Sequence, residues 1–207
     1  MLQNRVDPQG NLIKTNARGS WMGNRGILHD DEQHILHRFK LKAWLICLLE
    51  FNGRKRQVMA PHRYTELFFL DEATAFSAGH RPCFECRRKD FARYKSFWLQ
   101  GNPEYGFDER TSIQKIDDIL HRERIDRKGA KISHEETLKE LPNGAFLLYN
   151  DKPFVLMDTL IYPWTPFGYD KGISLPDRAK VMVLTPKSTI NAFRAGYIPD
   201  IAVRMQF

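Results

Sequence analysis

The stretch "AGHRPCFECRR", residues 78–88, gathers the side chains of this chain best suited to chemistry. Cys83 and Cys86, two of its three cysteines, stand behind Pro82 and ahead of Arg87 and Arg88. A Cys-x-x-Cys spacing lets two sulfurs share one tetrahedral ion. Pro82 falls where a first helical residue is expected, and Phe84, Phe91, Tyr94 and Trp98 recur at helical spacing toward Gln100. The pair is therefore expected in the first turn of a helix, where the helix dipole favours thiolates and Arg81, Arg87 and Arg88 push the same way. Thiolate serves zinc and redox chemistry alike. A thioredoxin-like dithiol, however, follows a buried strand in a βαβ unit, whereas a short helix and a Gly79 stop precede this pair. Two inert buried thiols are the plainer alternative. The reading adopted is a metal site, with Zn²⁺ as the ion.

A structural zinc takes four protein ligands, a catalytic one three and an open position. Cys47, inside the apolar run "AWLICLLEF", is the third candidate, although a lone cysteine in such a run is also ordinary core. His29, on a neighbouring hairpin, is the fourth, with His80 as its alternative and His62 behind both. The ligand types alone do not separate the two, and the leading reading takes the ion as structural in a protein that contacts nucleic acid through its basic turns.

"FLDEATAFSAGHRPCFEC" resembles the second half of the Ada-type zinc-binding domain, whose "AG-x-RPC-x-x-C" segment carries the second cysteine pair of a four-thiolate zinc site. The resemblance covers about eighteen of the 207 residues and matches Cys83 and Cys86 to that pair. The first pair, with its methyl-accepting cysteine, has no counterpart, because only Cys47 lies upstream. DNA-methyl transfer is thus not implied; zinc and a nucleic-acid setting are. The wider chain, from "MGNRG" to "VLTPKSTINAFRAGY", is similar to a family of uncharacterised bacterial proteins.

A second constellation is weaker. Asp117 and His121 lie four apart on "IDDILHRERI", and His134 follows. Together they could hold a divalent metal and activate water in a hydrolase or nuclease. The ordinary alternative is a set of solvated helix pairs. P-loop, dinucleotide-binding, Gly-x-Ser-x-Gly and His-Glu-x-x-His patterns are all missing from the sequence. Net charge is +7, which makes polyanions natural partners. Arg54, Lys55 and Arg56 on a turn, with Arg87 and Arg88, are the candidate contacts to DNA or RNA phosphates. A protein-interaction module with incidental charge is the remaining class.

The elements that would position these residues read as α+β. Residues 1–100 form a zinc-stabilised β-hairpin/helix module, 101–140 a helical linker and 141–207 a β-rich C-terminal part. "HILHRFKLKAWLICLLEF" reads as a long strand, "NGRK" as a turn and "RQVM" as its return. Asp71 is an N-cap; Thr111–Gln114 and Ser133–Glu136 read as capping boxes of two further helices. "GAFLLY", "KPFVLM", "TLIYPW" and "VMVLTP" read as strands, and a last helix starts at Thr185–Pro186 and stops at Gly196. The composition, 42% hydrophobic and 28% charged, holds no membrane-length apolar run. A polar N-terminus and three cysteines point to a reducing cytoplasm, with no membrane partner.

Overall fold

Apolar runs cut short by glycine, proline and asparagine can form only short strands, and such strands need neighbours on both sides to be stable. A computed structural model describes residues 1–54 and 57–202. Among them the strands form two six-stranded sheets with helices packed alongside, an α+β arrangement.

The first sheet contains β1 (Arg5–Val6), β2 (Leu12–Ile13), β3 (Trp21–Asn24), β4 (Leu45–Cys47), β5 (Leu67–Phe69) and β6 (Arg81–Pro82), in the order β2-β1-β5-β3-β4-β6. Most neighbours are antiparallel, but β1 runs parallel to β5 and β4 parallel to β6. Register sets Met22 of β3 between Cys47 of β4 and Phe68 of β5. Because side chains alternate along a strand, these three share one face of the sheet, and Asn24 opposite Leu45 extends it. The other face is core. Gly23 is required there: a Cβ on it would lie 2.3 Å from the Phe69 ring.

Helix α1 (Glu72–Ser77) connects β5 to β6. Asp71 caps it, accepting from the Thr74 amide at 2.8 Å, and its other oxygen accepts from the Tyr169 hydroxyl at 2.6 Å and the Ala202 amide at 3.0 Å. Gly79, at φ +88°, ends the turn in a conformation that side chains resist. Helices α2 (Arg88–Gly101) and α3 (Ile113–Arg124) follow. The second sheet is antiparallel: β7 (His134–Thr137), β8 (Phe146–Tyr149), β9 (Lys152–Met157), β10 (Leu160–Thr165), β11 (Gly168–Tyr169) and β12 (Lys180–Val183), ordered β11-β10-β9-β8-β12-β7. Helix α4 (Lys187–Arg194) then returns to the first core, where Phe193 and Tyr197 pack with Phe76, Tyr94 and Trp98. No helix among the described residues is long and apolar enough to cross a membrane.

Several local expectations change. The long strand shrinks to Leu45–Cys47, and residues 28–44 loop out, held by an isolated bridge between His29 and Ile35. No strand forms at Val58–Met59, which turns instead; Arg56 of that run lies outside the described residues. The cap of α3 is Ser112 rather than Thr111, whose hydroxyl is engaged by Asp108. The Ser133–Glu136 helix is strand β7, because pairing with β12 supplies backbone partners that a one-turn helix lacks.

Candidate metal centre

The parallel pairing of β4 with β6 brings the cysteines together. Cys83 continues the ladder past Pro82, its amide donating to the Ile46 carbonyl at 2.9 Å. That bond keeps the chain extended as far as Cys83, so the Cys-x-x-Cys pair lies in a turn ahead of α2, and the helix begins only at Arg88. Arg87 donates its amide to the Cys83 carbonyl at 3.1 Å and closes that turn. Inside it, the Glu85 and Cys86 amides favour the Cys83 thiolate, and the Leu48 amide favours that of Cys86.

The three sulfurs of Cys47, Cys83 and Cys86 lie within 4.8 Å of one another. All three cysteines are free; Cys47 and Cys83 are buried and Cys86 half-buried. Such crowding couples their protons. Hydrogen bonds from Cys47 and then Cys86 hold the Cys83 thiol far below the ordinary thiol range, against its burial. Cys47 is pushed strongly up, first by its bond to Cys83, then by Cys86 and by burial. For Cys86 the bond with Cys47 acts downward but is outweighed by Cys83 and by burial, so its thiol also rises. The cluster therefore carries one thiolate easily and resists a second and third unless a cation neutralises them. Such a donor set suits a soft or borderline divalent ion.

The cluster opens on a cavity of about 220 Å³ over the sheet face described above. Met22, Asn24 and Phe68 contribute its floor, and Phe51 and Tyr64 also line it. Glu66 reaches the same cavity although it is only 5% exposed. One carboxylate oxygen accepts from the Met59 amide at 2.8 Å; the other has no partner among the described residues. Arg54 and Glu85, an exposed pair at 2.6 Å, border the cavity.

The histidines go elsewhere. His29 is buried with both ring nitrogens engaged, Nδ1 with the Thr65 hydroxyl at 2.6 Å and Nε2 with the Ala60 carbonyl at 3.3 Å. His80 accepts from Arg25 Nε at 3.0 Å and packs against Trp44 and Phe69. Among the described residues the metal-ligating group holds three cysteines and no histidine. The Asp117, His121 and His134 constellation does not assemble there either. Asp117 is buried and clamped by Arg81 through bonds of 2.7 and 2.6 Å; His121 accepts from Arg124, and His134 pairs with Glu136 on β7.

The basic candidates divide. Arg87 is 5% exposed and bound to Glu72 at 2.6 Å and Asp90 at 2.9 Å, with Trp21 beneath its guanidinium at 3.9 Å. Arg88 is exposed and lies over Phe84, and Arg54 is exposed. Lys55 and Arg56 lie outside the described residues. Glu66 and Asn24 gave no signal in the sequence, since each is an ordinary polar residue at a strand end, Asn24 closing β3 and Glu66 preceding β5. Only strand alternation, counted back from Phe68 and on from Met22, would have set them on the cysteine face.

Comparison with protein-family models, with curated proteins and with solved structures returned no match.

Proposed function

We propose that this chain is a zinc protein in which Cys47, Cys83 and Cys86 hold the ion and the fourth coordination position faces the cavity. The observation that carries this reading is the convergence of three sulfurs, from β4 and from the turn before α2, within 4.8 Å. The resemblance of the "RPCFEC" segment to a zinc-binding cysteine pair supports the same ion. Three protein ligands leave one position for water or a bound molecule, as in open zinc sites. The cavity supplies apolar walls and, from Glu66, a carboxylate oxygen without a partner among the described residues, which suits a small molecule with an N–H donor.

Contact with nucleic acid is the second element of the reading. It is supported by the net charge of +7 and by exposed Arg54 and Arg88 on the segments flanking the cysteines. There, arginines would meet phosphate while the ion holds the β4 edge to the turn.

Cobalt(II) substitution tests the metal reading. The account expects thiolate-to-cobalt absorption that falls stepwise as each cysteine is changed to serine. It also expects a visible spectrum that responds to added imidazole, through the open position. A spectrum indifferent to imidazole, or one left unchanged by Cys47→Ser, would contradict it.

A further inference from the structure

A separate part of the molecule buries several positive charges that make no ion pair with a carboxylate among the described residues. Arg25, just past β3, and Arg124, at the end of α3, are each 1% exposed. Both guanidiniums lie against Trp44, with Cζ atoms 3.9 and 3.8 Å from its ring centre. Arg25 donates to His80 Nε2 and to the Gly10 carbonyl, each at 3.0 Å. Arg124 donates to the Gly79 carbonyl at 3.0 Å, the Lys42 carbonyl at 2.6 Å and His121 Nδ1 at 3.0 Å. These acceptors are all neutral.

Donors remain over. Arg25 Nη2 and Arg124 Nε are buried with no partner among the described residues. His80 uses Nε2 as an acceptor, so Nδ1 carries its proton, and that group is also buried and unpartnered. Lys131 adds a further cation nearby, its ammonium donating to the Ser77 carbonyl. Asp117 is nearest in charge to Arg124 but is already clamped by Arg81. Burial, reinforced by the neighbouring cations, lowers Arg25 to about 9, Arg124 to about 8 and Lys131 to about 7, although Asp7 offsets Arg25 and Lys131 in part. Unpaired charge inside a protein is costly, and a counter-ion removes that cost.

A cavity of the right size is present. It measures about 20 Å³ and is lined by Arg25, Arg124, Trp44, Arg38 and Gly129. That is room for one particle of water or halide size, and too little for sulfate or phosphate. We propose that this cavity is a binding site for one small monovalent anion of the halide class, held by Arg25 and Arg124 with Arg38 at its edge. The anion supplies the missing charge where β3, the Trp44 loop, the N-terminal loop at Gly10 and the end of α3 meet. The site is independent of the cysteine cluster.

Two measurements test it on the intact chain. In crystals soaked in sodium bromide, anomalous scattering should place one bromide in the cavity between Arg25 and Arg124. In solution, replacing sodium methanesulfonate by sodium chloride at constant ionic strength should raise the unfolding midpoint by about 3–6 °C at ten times the dissociation constant. Arg124→Met should abolish that response. A cavity holding water and no bromine signal, or equal midpoints in the two salts, would overturn the proposal. Both readings come from the native protein, so they decide the matter even where the variant fails to fold.

Discussion

Three sulfurs within 4.8 Å of one another are a different chemical object from three separate cysteines. Their mutual hydrogen bonds lower the Cys83 thiol and raise those of Cys47 and Cys86, and a shared cation would favour the thiolate form of all three. Each sulfur should therefore matter alike. Cys47→Ser, Cys83→Ser and Cys86→Ser should each weaken zinc binding at least tenfold in competition with a chromophoric chelator, whereas His29→Ala should leave it unchanged. A loss confined to Cys83 and Cys86 would remove Cys47 from the site. Here the sequence was partly legible. The Cys-x-x-Cys spacing and the order of Cys47 before it identified the sulfurs. The histidines do not join the sulfurs in this structure: Thr65 and Ala60 engage both nitrogens of His29, and His80 accepts from Arg25. His80 carries a prediction of its own. Burial first, then the charges of Arg25 and Arg124, hold its pKa well below the ordinary 6.5. A depressed folded pKa gives stability that is full above the unfolded value and lost as pH falls below it. Urea unfolding should thus show stability dropping by about 1.4 kcal/mol per pH unit for this one proton below 6.5, with His121 and His134 adding in the same direction. His80→Gln should flatten that slope by about one proton, and an unchanged slope would contradict the account.

At the scale of elements, the parallel pairing of β4 with β6 does what neither strand could do alone. It carries Cys47 to the turn that holds Cys83 and Cys86, and it aims Arg81 at Asp117 on α3. Both partners of that ion pair are 5% exposed, so removing one leaves a buried charge uncompensated. Asp117→Asn should cost about 3–5 kcal/mol in chemical denaturation, and Arg81→Met with Asp117→Leu together distinctly less. Equal losses would mean that packing, not the charge pair, fixes α3. The helical face of α3 was readable from its period, with Ile116, Ile119 and Leu120 buried. The partner of Asp117 was not, because a pattern within one helix says nothing about a strand that precedes it by thirty residues or more. Boundary errors share this cause. Ser133 to Glu136 has the letters of a capping box, but β12 competes for the same backbone and wins. The long apolar run before Cys47 likewise reads as strand, although only its last part finds neighbours.

The whole molecule is tied together by few residues. Asp71 joins the start of α1 to Tyr169 of β11 and to the backbone at Ala202, and Glu72 joins Arg87 to Tyr197 beyond α4. The α+β class and the strands of the C-terminal half were visible in composition and alternation. The return of α4 to the first core was not, since Phe193 and Tyr197 could have faced either sheet. Net charge belongs to this scale too. If exposed arginines carry nucleic-acid contact, affinity for a generic duplex or single strand should fall linearly with the logarithm of salt concentration, and Arg54→Ala and Arg88→Ala should reduce the slope by about one each. A slope unaffected by both would place the contact elsewhere. The central claim, however, is the ion. Elemental analysis of protein purified without added metal, beside Cys47→Ser and Cys83→Ser/Cys86→Ser, tests it most directly. The account predicts one zinc per chain in the native protein and none in either variant. A native protein free of metal, or a Cys47→Ser variant that keeps its full zinc, would contradict it.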